Sequence, residues 1–393
     1  MSLQNFFKFL KKISVEVRGR KPSALLEGLC RQFSLAELKA ATNNFHHDLK
    51  IDVLGFGPVY KGLIDGGSLV VAVKRFSRDS RPTGQAVGAF QNEAQLLCQL
   101  RHQNLVSLLG FCHEKGESIL VFEYVTHGGL DGHLFKNDDP LPWKRRLEIC
   151  IGAARGLHYL HTGAKYAIIH RDVNPSNILL DENWDVKLSD FWISRIGPSS
   201  ISKPKPDALK KMESICGILG YMAPEYLIKG EVSVKIDVYA LGIVLLVVLC
   251  GRKPYDNTAE ESHVISWIIK CIKNGCVHDM IDPFLNGKIA PVCLIEFVEI
   301  ALGCVSENPN ERPSVGDVEV ALELALELQE KADLVIKSDN PHAVYAYKDV
   351  SFRVSVEAKS YWPANSYGGE SHGVSVSDAE LVSDGGAVSV TES

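Results

Sequence analysis

His170-Arg171-Asp172-Val173-Asn174-Pro175-Ser176-Asn177 sets an aspartate and two asparagines in one short run, and Asp190-Phe191-Trp192 begins 13 residues after Asn177. Upstream, Val71-Ala72-Val73-Lys74 ends a β-branched run on a lysine, and Glu93 closes Phe90-Gln91-Asn92-Glu93 in the helical stretch that follows. Downstream come Ala223-Pro224-Glu225, then Asp237, then Arg312 within Asn308-Pro309-Asn310-Glu311-Arg312-Pro313-Ser314. A lone lysine or a lone Asp-Phe pair means nothing. In this order the set is informative, because charges such as Lys74, Asp172 and Asp190 are too costly to bury without partners or a charged ligand.

The hydrophobic pattern places these residues on two different kinds of structure. From Ile51 to Tyr124 the runs VYKGLI, LVVAVKRF and SILVFEYV read as strands, with one long helix from about Gln85 to Leu100. From Gly129 to about Lys331 the period is helical, with Leu, Ile and Ala recurring through 143–161, 234–250, 262–274, 291–304 and 314–331. The expected fold is therefore α+β: a small antiparallel sheet lobe with one helix over 48–125, and a larger, mainly helical lobe over 126–331. Ahead of them, Ser34 and Glu37 form an S-x-x-E capping box that opens a short helix through Ala41, in a segment spanning 31–47. After Lys337 the chain becomes Ser-, Val- and Gly-rich with no sustained period, and 332–393 reads as a flexible acidic tail.

Composition excludes several functions. The chain has 393 residues, 46% hydrophobic and 23% charged, enough for two cores. Its net charge of -6 argues against a nucleic-acid binder, which needs surplus Lys and Arg to neutralise phosphates. The ten cysteines contain no C-x-x-C pair and read as reduced thiols in a cytosolic core; a zinc site from Cys271, Cys276 and His278 lacks a second ligand pair. No apolar stretch reaches the ~18–20 residues of a membrane span, and Val238–Gly251 reads as a buried core helix. Ser2 in place of Gly excludes N-myristoylation. The expectation is a cytoplasmic protein, soluble or peripheral at the plasma membrane. The peripheral option comes from residues 1–30, where Leu3, Phe6, Phe7, Phe9, Leu10 and Ile13 share one helical arc against Lys8, Lys11 and Lys12. Such a basic amphipathic face, within the lysine- and arginine-rich 1–21, either meets an anionic membrane surface or docks on the chain itself.

The ordered motifs resemble those of protein kinases. More narrowly, FSLAELKAATNNF (33–45), RHQNLVSLLGFC (101–112), LPWKRRLEICIGAARGLHYLH (141–161) and GYMAPEYL (220–227) resemble plant receptor-like kinases of the Pelle type, FERONIA-like ones most closely, over about residues 30–330. The missing span suggests the receptor-like cytoplasmic branch. The resemblance implies an ATP and Mg²⁺ site in which Lys74 pairs with the α and β phosphates and is held by Glu93. Asn177 and Asp190 would hold Mg²⁺, and Asp172 would accept the substrate hydroxyl proton. Adenine would lie near the Phe122–Val125 linker, which includes Glu123, with Val59, Ala72 and Leu179 as apolar walls. It further implies that Glu225 pairs with Arg312, that Asp237 bonds the catalytic-loop backbone, and that His170 and Phe191 pack with Leu97 and Leu108. His158 and His161 read as packing or surface residues. Partners would be receptor kinases or other protein kinases.

Four departures strike the phosphate-handling parts. The Gly-rich loop reads Asp52-Val53-Leu54-Gly55-Phe56-Gly57, so Asp52 and Leu54 replace glycines that let backbone N–H groups approach phosphates; Gly55 could shift the register, and Pro58 is a lesser change. Asn174 stands where serine/threonine kinases carry a lysine on the γ-phosphate. Trp192 replaces the D-F-G glycine, either crowding the metal region or packing outward. Ile218 replaces a Ser or Thr that contacts the catalytic loop. Arg171 would favour a phosphorylated activation segment with Ser199, Ser200, Ser202 or Ser214 as acceptors, and Lys203, Lys205, Lys210 and Lys211 read as a solvated loop rather than a docking patch. The expected function is that of a pseudokinase or weak kinase acting as a scaffold or allosteric partner in receptor kinase signalling; the alternative is an active ATP-dependent serine/threonine kinase.

Overall fold

The computed structural model describes residues 30–54, 56–76, 83–135, 139–197, 214–255, 262–339, 343–348, 350–353 and 388–391. The amphipathic stretch 3–13, Gly55, the serines 199, 200 and 202 and the 203–211 lysines lie outside them. The chain divides into two compact units, one formed by residues up to Arg101 with Val106–Tyr124, the other by His102–Leu105 and everything from Val125 onward.

In the first unit, β1 (Arg31–Gln32), β2 (Lys50–Leu54), β3 (Gly57–Ile64), β4 (Leu69–Arg75), β5 (Leu108–Glu114) and β6 (Glu117–Glu123) form a sheet of order β1-β5-β6-β4-β3-β2. Apart from the parallel β1–β5 edge, the pairings are antiparallel. Period-2 alternation gives the sheet two distinct faces. Val71 and Val73 point to one face and pack with Phe33, Leu35, Leu38, Tyr60 and Ile64. That face is covered by α1 (Leu35–Ala41), whose capping box forms as its sequence predicts: Ser34 Oγ accepts from Glu37 N, and Ser34 N donates to Glu37 Oε2 at 2.7 Å. Asn43, Asn44 and Phe45 then adopt φ of 46°, 57° and 56°, a left-handed run that ends the helix. Phe33 and Leu38 are fully buried here, a burial worth about 1.5–3 kcal/mol each. The helix expected over 85–100 is α2, Thr83–Leu97.

The second unit is built round α6 (Val234–Cys250), which is apolar beyond Asp237 and buried on nearly every side there. Gly251, with φ 66°, ends it in the left-handed conformation. Around it stand α3 (Leu130–Phe135), α4 (Trp143–His158), α5 (Pro224–Lys229), α7 (Val264–Lys273), α8 (Pro291–Cys304) and α9 (Val315–Asp339). Arg146 of α4 is buried without being orphaned: it donates to Leu141 O, Val248 O and Asp282 Oδ2 at 2.9, 2.7 and 2.7 Å. Small sheets carry the loops: β7 (Gly128–Gly129), β9 (Ile178–Leu180) and β10 (Val186–Leu188) form one, β8 (Ile168–Ile169) and β11 (Arg195–Ile196) another. No helix among the described residues is long and apolar enough to cross a membrane.

The region read as tail differs from that expectation in its described parts. The last helix continues past Lys331 to Asp339. Tyr345 then donates through its hydroxyl to Asp333 and through its N–H to Gly287 O, and the Tyr347 hydroxyl donates to Ile289 O. Further on, β13 (Val388–Thr391) pairs antiparallel with β12 (Ser214–Gly217). Low hydrophobicity hid these contacts because they rest on tyrosine hydroxyls and backbone groups, which leave no periodicity.

Candidate phosphotransfer site

In the first unit the sheet face opposite α1 carries the charged pair. Val59 lies opposite Lys74 in the β3–β4 register, and Ala72 is two residues before it on the same strand, so all three share one face. Lys74 Nζ lies 2.8 Å from Glu93 Oε2 of α2, with both side chains at most 3% exposed. Two opposite charges satisfy each other here, and burial is tolerated for that reason. Glu123 Oε1 accepts from Ser107 N at 2.7 Å, so it fixes the chain on either side of β5 and β6. Leu54 pairs with Gly57 across the hairpin and Val53 with Pro58, while Asp52, opposite Val59, is exposed. Leu97 and Leu108 are buried in this unit's core.

The second unit holds the acids. Asp237 stands at the start of α6 and fixes the loop before Asp172: it accepts from His170 N and Arg171 N at 2.8 Å each, and its Oδ2 lies 2.8 Å from His161 Nε2. His161 was not legible as a partner, since its spacing marks it only as a helical packing residue; His158 is bonded at the surface to Glu319. His170 bonds Ser189 O through Nε2 at 3.0 Å and packs against the Phe191 ring at 4.8 Å. Glu225 and Arg312 form a buried bidentate pair at 2.6 and 2.8 Å. Leu179 and Val125 are half-buried in this unit.

Asp172 is only 6% exposed and its carboxylate is fully engaged. Oδ1 accepts from Asn174 Nδ2 at 3.2 Å, Oδ2 from Asn177 Nδ2 at 3.0 Å, and the Ile218 N–H donates to it as well. Both asparagine amides also donate to Asp172 O. Asn174 therefore acts as a neutral clamp on Asp172, and its Oδ1 caps the following turn by accepting from Ser176 N. Burial, followed by the nearby Asp190 charge, pushes the Asp172 carboxyl up to about 7; the amide and backbone hydrogen bonds oppose that rise. Asp190 and Arg171 sit at φ of 68° and 71°, conformations that non-glycine residues seldom adopt.

Trp192 does not pack outward. It is 8% exposed, and its indole N–H donates to Asp190 Oδ2 at 3.1 Å. Arg171 donates to Ile193 O at 2.7 Å and to the Tyr226 hydroxyl, which in turn bonds both backbone groups of Cys216. Tyr226 was missed because nothing in its spacing distinguishes it from a packing tyrosine. Among the described residues, the one cluster of three metal-capable side chains is the exposed His46, His47 and Asp48; Cys271, Cys276 and His278 do not converge.

Residues 51–322 match the protein kinase domain model. The chain belongs to the protein kinase family. It is 48% identical to the receptor-like protein kinase FERONIA of Arabidopsis thaliana over 318 residues, which is 80% of this chain and 34% of FERONIA. It is likewise 48% identical to ANXUR2 over 80% of this chain and 36% of that protein, and 44% identical to THESEUS 1 over 79% and 36%, both from the same plant. The chain thus spans about a third of the length of these relatives, and its kinase domain is of the FERONIA-like receptor-like kinase type. Lys74 and Glu93 lie in the first unit, and Asp172, Asn174, Asn177, Asp190, Trp192 and Ile218 in the second.

Proposed function

We propose that this receptor-like kinase domain is a pseudokinase or a weak serine/threonine kinase that signals by binding receptor or kinase partners. The observation that carries this reading is the closed shell round Asp172. Its oxygens are bonded to Asn174, Asn177 and the Ile218 amide, and these donors are all neutral. Loss of one transition-state-stabilising group typically costs about 10²-fold or more in rate.

Lys74, positioned by Glu93, would receive the nucleotide phosphates. Asp190 and Asn177 supply the oxygen donors that a hard cation needs, and the Asp190 charge near Asp172 favours a cation there. Mg²⁺, when bound, would supply charge neutralisation to the phosphates. Trp192 opposes it by spending part of the Asp190 carboxylate on an indole hydrogen bond.

The second reading, an active serine/threonine kinase, rests on Asp172 itself: a carboxyl poised near 7 suits a general base at neutral pH. A radiolabelled ATP assay with Asp172→Ala as control separates the two. Label that enters protein and vanishes in the variant overturns the scaffold reading; a thermal shift with ATP and Mg²⁺ but no label supports it. The basic face within 1–21 would give reversible attachment to an anionic membrane. Unchanged liposome binding after deletion of residues 1–13 refutes that part.

A further inference from the structure

His46, His47 and Asp48 lie in the turn between α1 and β2, within the first unit, and take no part in the chemistry proposed above. Their ligand-bearing atoms converge. His46 Nδ1 and His47 Nδ1 are 3.3 Å apart, His46 Nδ1 is 3.4 Å from Asp48 Oδ2, and His47 Nδ1 is 3.1 Å from Asp48 Oδ1. With metal–ligand bonds of about 2.0–2.1 Å, two donor atoms of a tetrahedral shell stand about 3.3–3.4 Å from each other. The three side chains already hold nearly those spacings.

Hydrogen bonding alone leaves this cluster short of protons. His46 Nδ1 accepts from Asp48 N at 3.4 Å, which requires that nitrogen to be unprotonated. It then faces Asp48 Oδ2 as one acceptor against another, and a single proton on His47 Nδ1 cannot serve both His46 Nδ1 and Asp48 Oδ1 fully. A cation removes the deficit, taking the His46 lone pair in place of the long contact to Asp48 N. The backbone holds the turn ready for it. Buried Thr42 accepts from His46 N through its carbonyl at 3.0 Å and from Phe45 N through its hydroxyl at 3.1 Å, and Leu49 N donates to His46 O at 3.0 Å. The Phe45 ring packs against Tyr60 at 5.5 Å, with the Arg75 guanidinium over it at 4.7 Å. Ligands on three consecutive residues of an anchored turn have little backbone freedom left to lose on binding.

We propose that His46, His47 and Asp48 form a surface site for a divalent transition-metal ion of the Zn²⁺ class. Two imidazoles and a carboxylate suit such an ion, whereas Mg²⁺ and Ca²⁺ take shells of oxygen. The carboxylate binds through one oxygen or both and supplies negative charge. Three protein ligands leave the fourth position of a tetrahedral shell to water or to a donor from another molecule. The bound ion fastens the turn that feeds β2, and it owes nothing to nucleotide.

Calorimetric titration of the full chain with Zn²⁺, in the presence of excess Mg²⁺, tests the assignment. His47 and Asp48 are 82% and 72% exposed, so His47→Ala and Asp48→Asn leave the fold intact. Each should weaken one-to-one Zn²⁺ binding at least about 10-fold, because even an outer partner of a metal ligand is worth about 10–100-fold. His278→Ala removes another exposed histidine that sits beside a carboxylate, that of Asp279, and should leave the affinity unchanged. Absence of saturable Zn²⁺ binding, equal affinity in His47→Ala and wild type, or an equal loss in His278→Ala overturns the proposal.

Discussion

The two units solve the problem of buried charge in opposite ways. In the first, Lys74 and Glu93 bury one cation against one anion, each answering the other. In the second, Asp172 is buried among amides with Asp190 nearby, and burial, followed by the Asp190 charge, pushes the Asp172 carboxyl up to about 7. The buried charges of the two units thus stand in very different electrostatic settings. Counting motif residues does not reveal how far the chemistry survives; the charge balance round each one does.

The sharpest break of that comparison is in the first unit. Lys74→Met strips the cation from a buried carboxylate and should lower unfolding free energy by about 3 kcal/mol or more. Adding Glu93→Leu should recover most of that loss, because the remaining charge leaves with it. Urea denaturation of the two variants checks the point, and a double variant as unstable as the single one would show that the pair is not self-compensating.

The second unit should show the reverse dependence on a charge. The folded Asp172 carboxyl lies above its ordinary value, so at low pH both folded and unfolded states hold the proton and no effect appears. As pH rises from about 4, the unfolded chain ionises while the folded one resists, and stability falls until pH passes about 7. Relative to Asp172→Asn, wild type should lose up to about 4 kcal/mol across that window. Any phosphotransfer that uses Asp172 as base should instead rise through about pH 7. Stability curves of equal slope in the two proteins would remove the carboxylate imbalance from the account.

Much of this architecture is legible in the sequence. Strand runs, the Ser34–Glu37 capping box and the all-apolar stretch within Val234–Cys250 carry their own periodicity, and the spacing of Lys74, Glu93, Asp172, Asn177 and Asp190 selects one fold. Direction was not legible. Whether Trp192 faces solvent or Asp190 depends on the left-handed turn at Asp190, and Asn174 could not be read as a clamp because a short amide has several backbone and side-chain partners within reach. His161 and Tyr226 were missed for the same reason: each acts through one polar atom on an otherwise ordinary packing residue.

Asn174→Lys places a cation beside Asp172, as the first unit has beside Glu93, and so tests whether the missing charge limits the reaction. The phosphotransfer rate should rise about 10²-fold, with the pH midpoint moving below 7 as the lysine favours the ionised carboxylate. Some stability should be lost with the turn cap that Asn174 provides, about 1 kcal/mol. A restored cation with no gain in rate would move the lesion to Trp192 or Ile218.

The smallest expected effect isolates the indole. Trp192→Phe keeps an aromatic side chain in the same buried position and deletes the N–H that donates to Asp190 Oδ2. Freed of that bond, the carboxylate oxygen regains lone-pair capacity and negative charge for a cation, a gain of about 1 kcal/mol. In the presence of a non-hydrolysable ATP analogue, Mg²⁺ should then stabilise the variant at a roughly fivefold lower concentration than wild type, read as the shift in melting temperature. Because the substitution leaves Asn174 in place, Mg²⁺ affinity should change without a matching rise in rate; a rise in both would mean that Trp192, rather than the uncompensated Asp172, holds the second unit back.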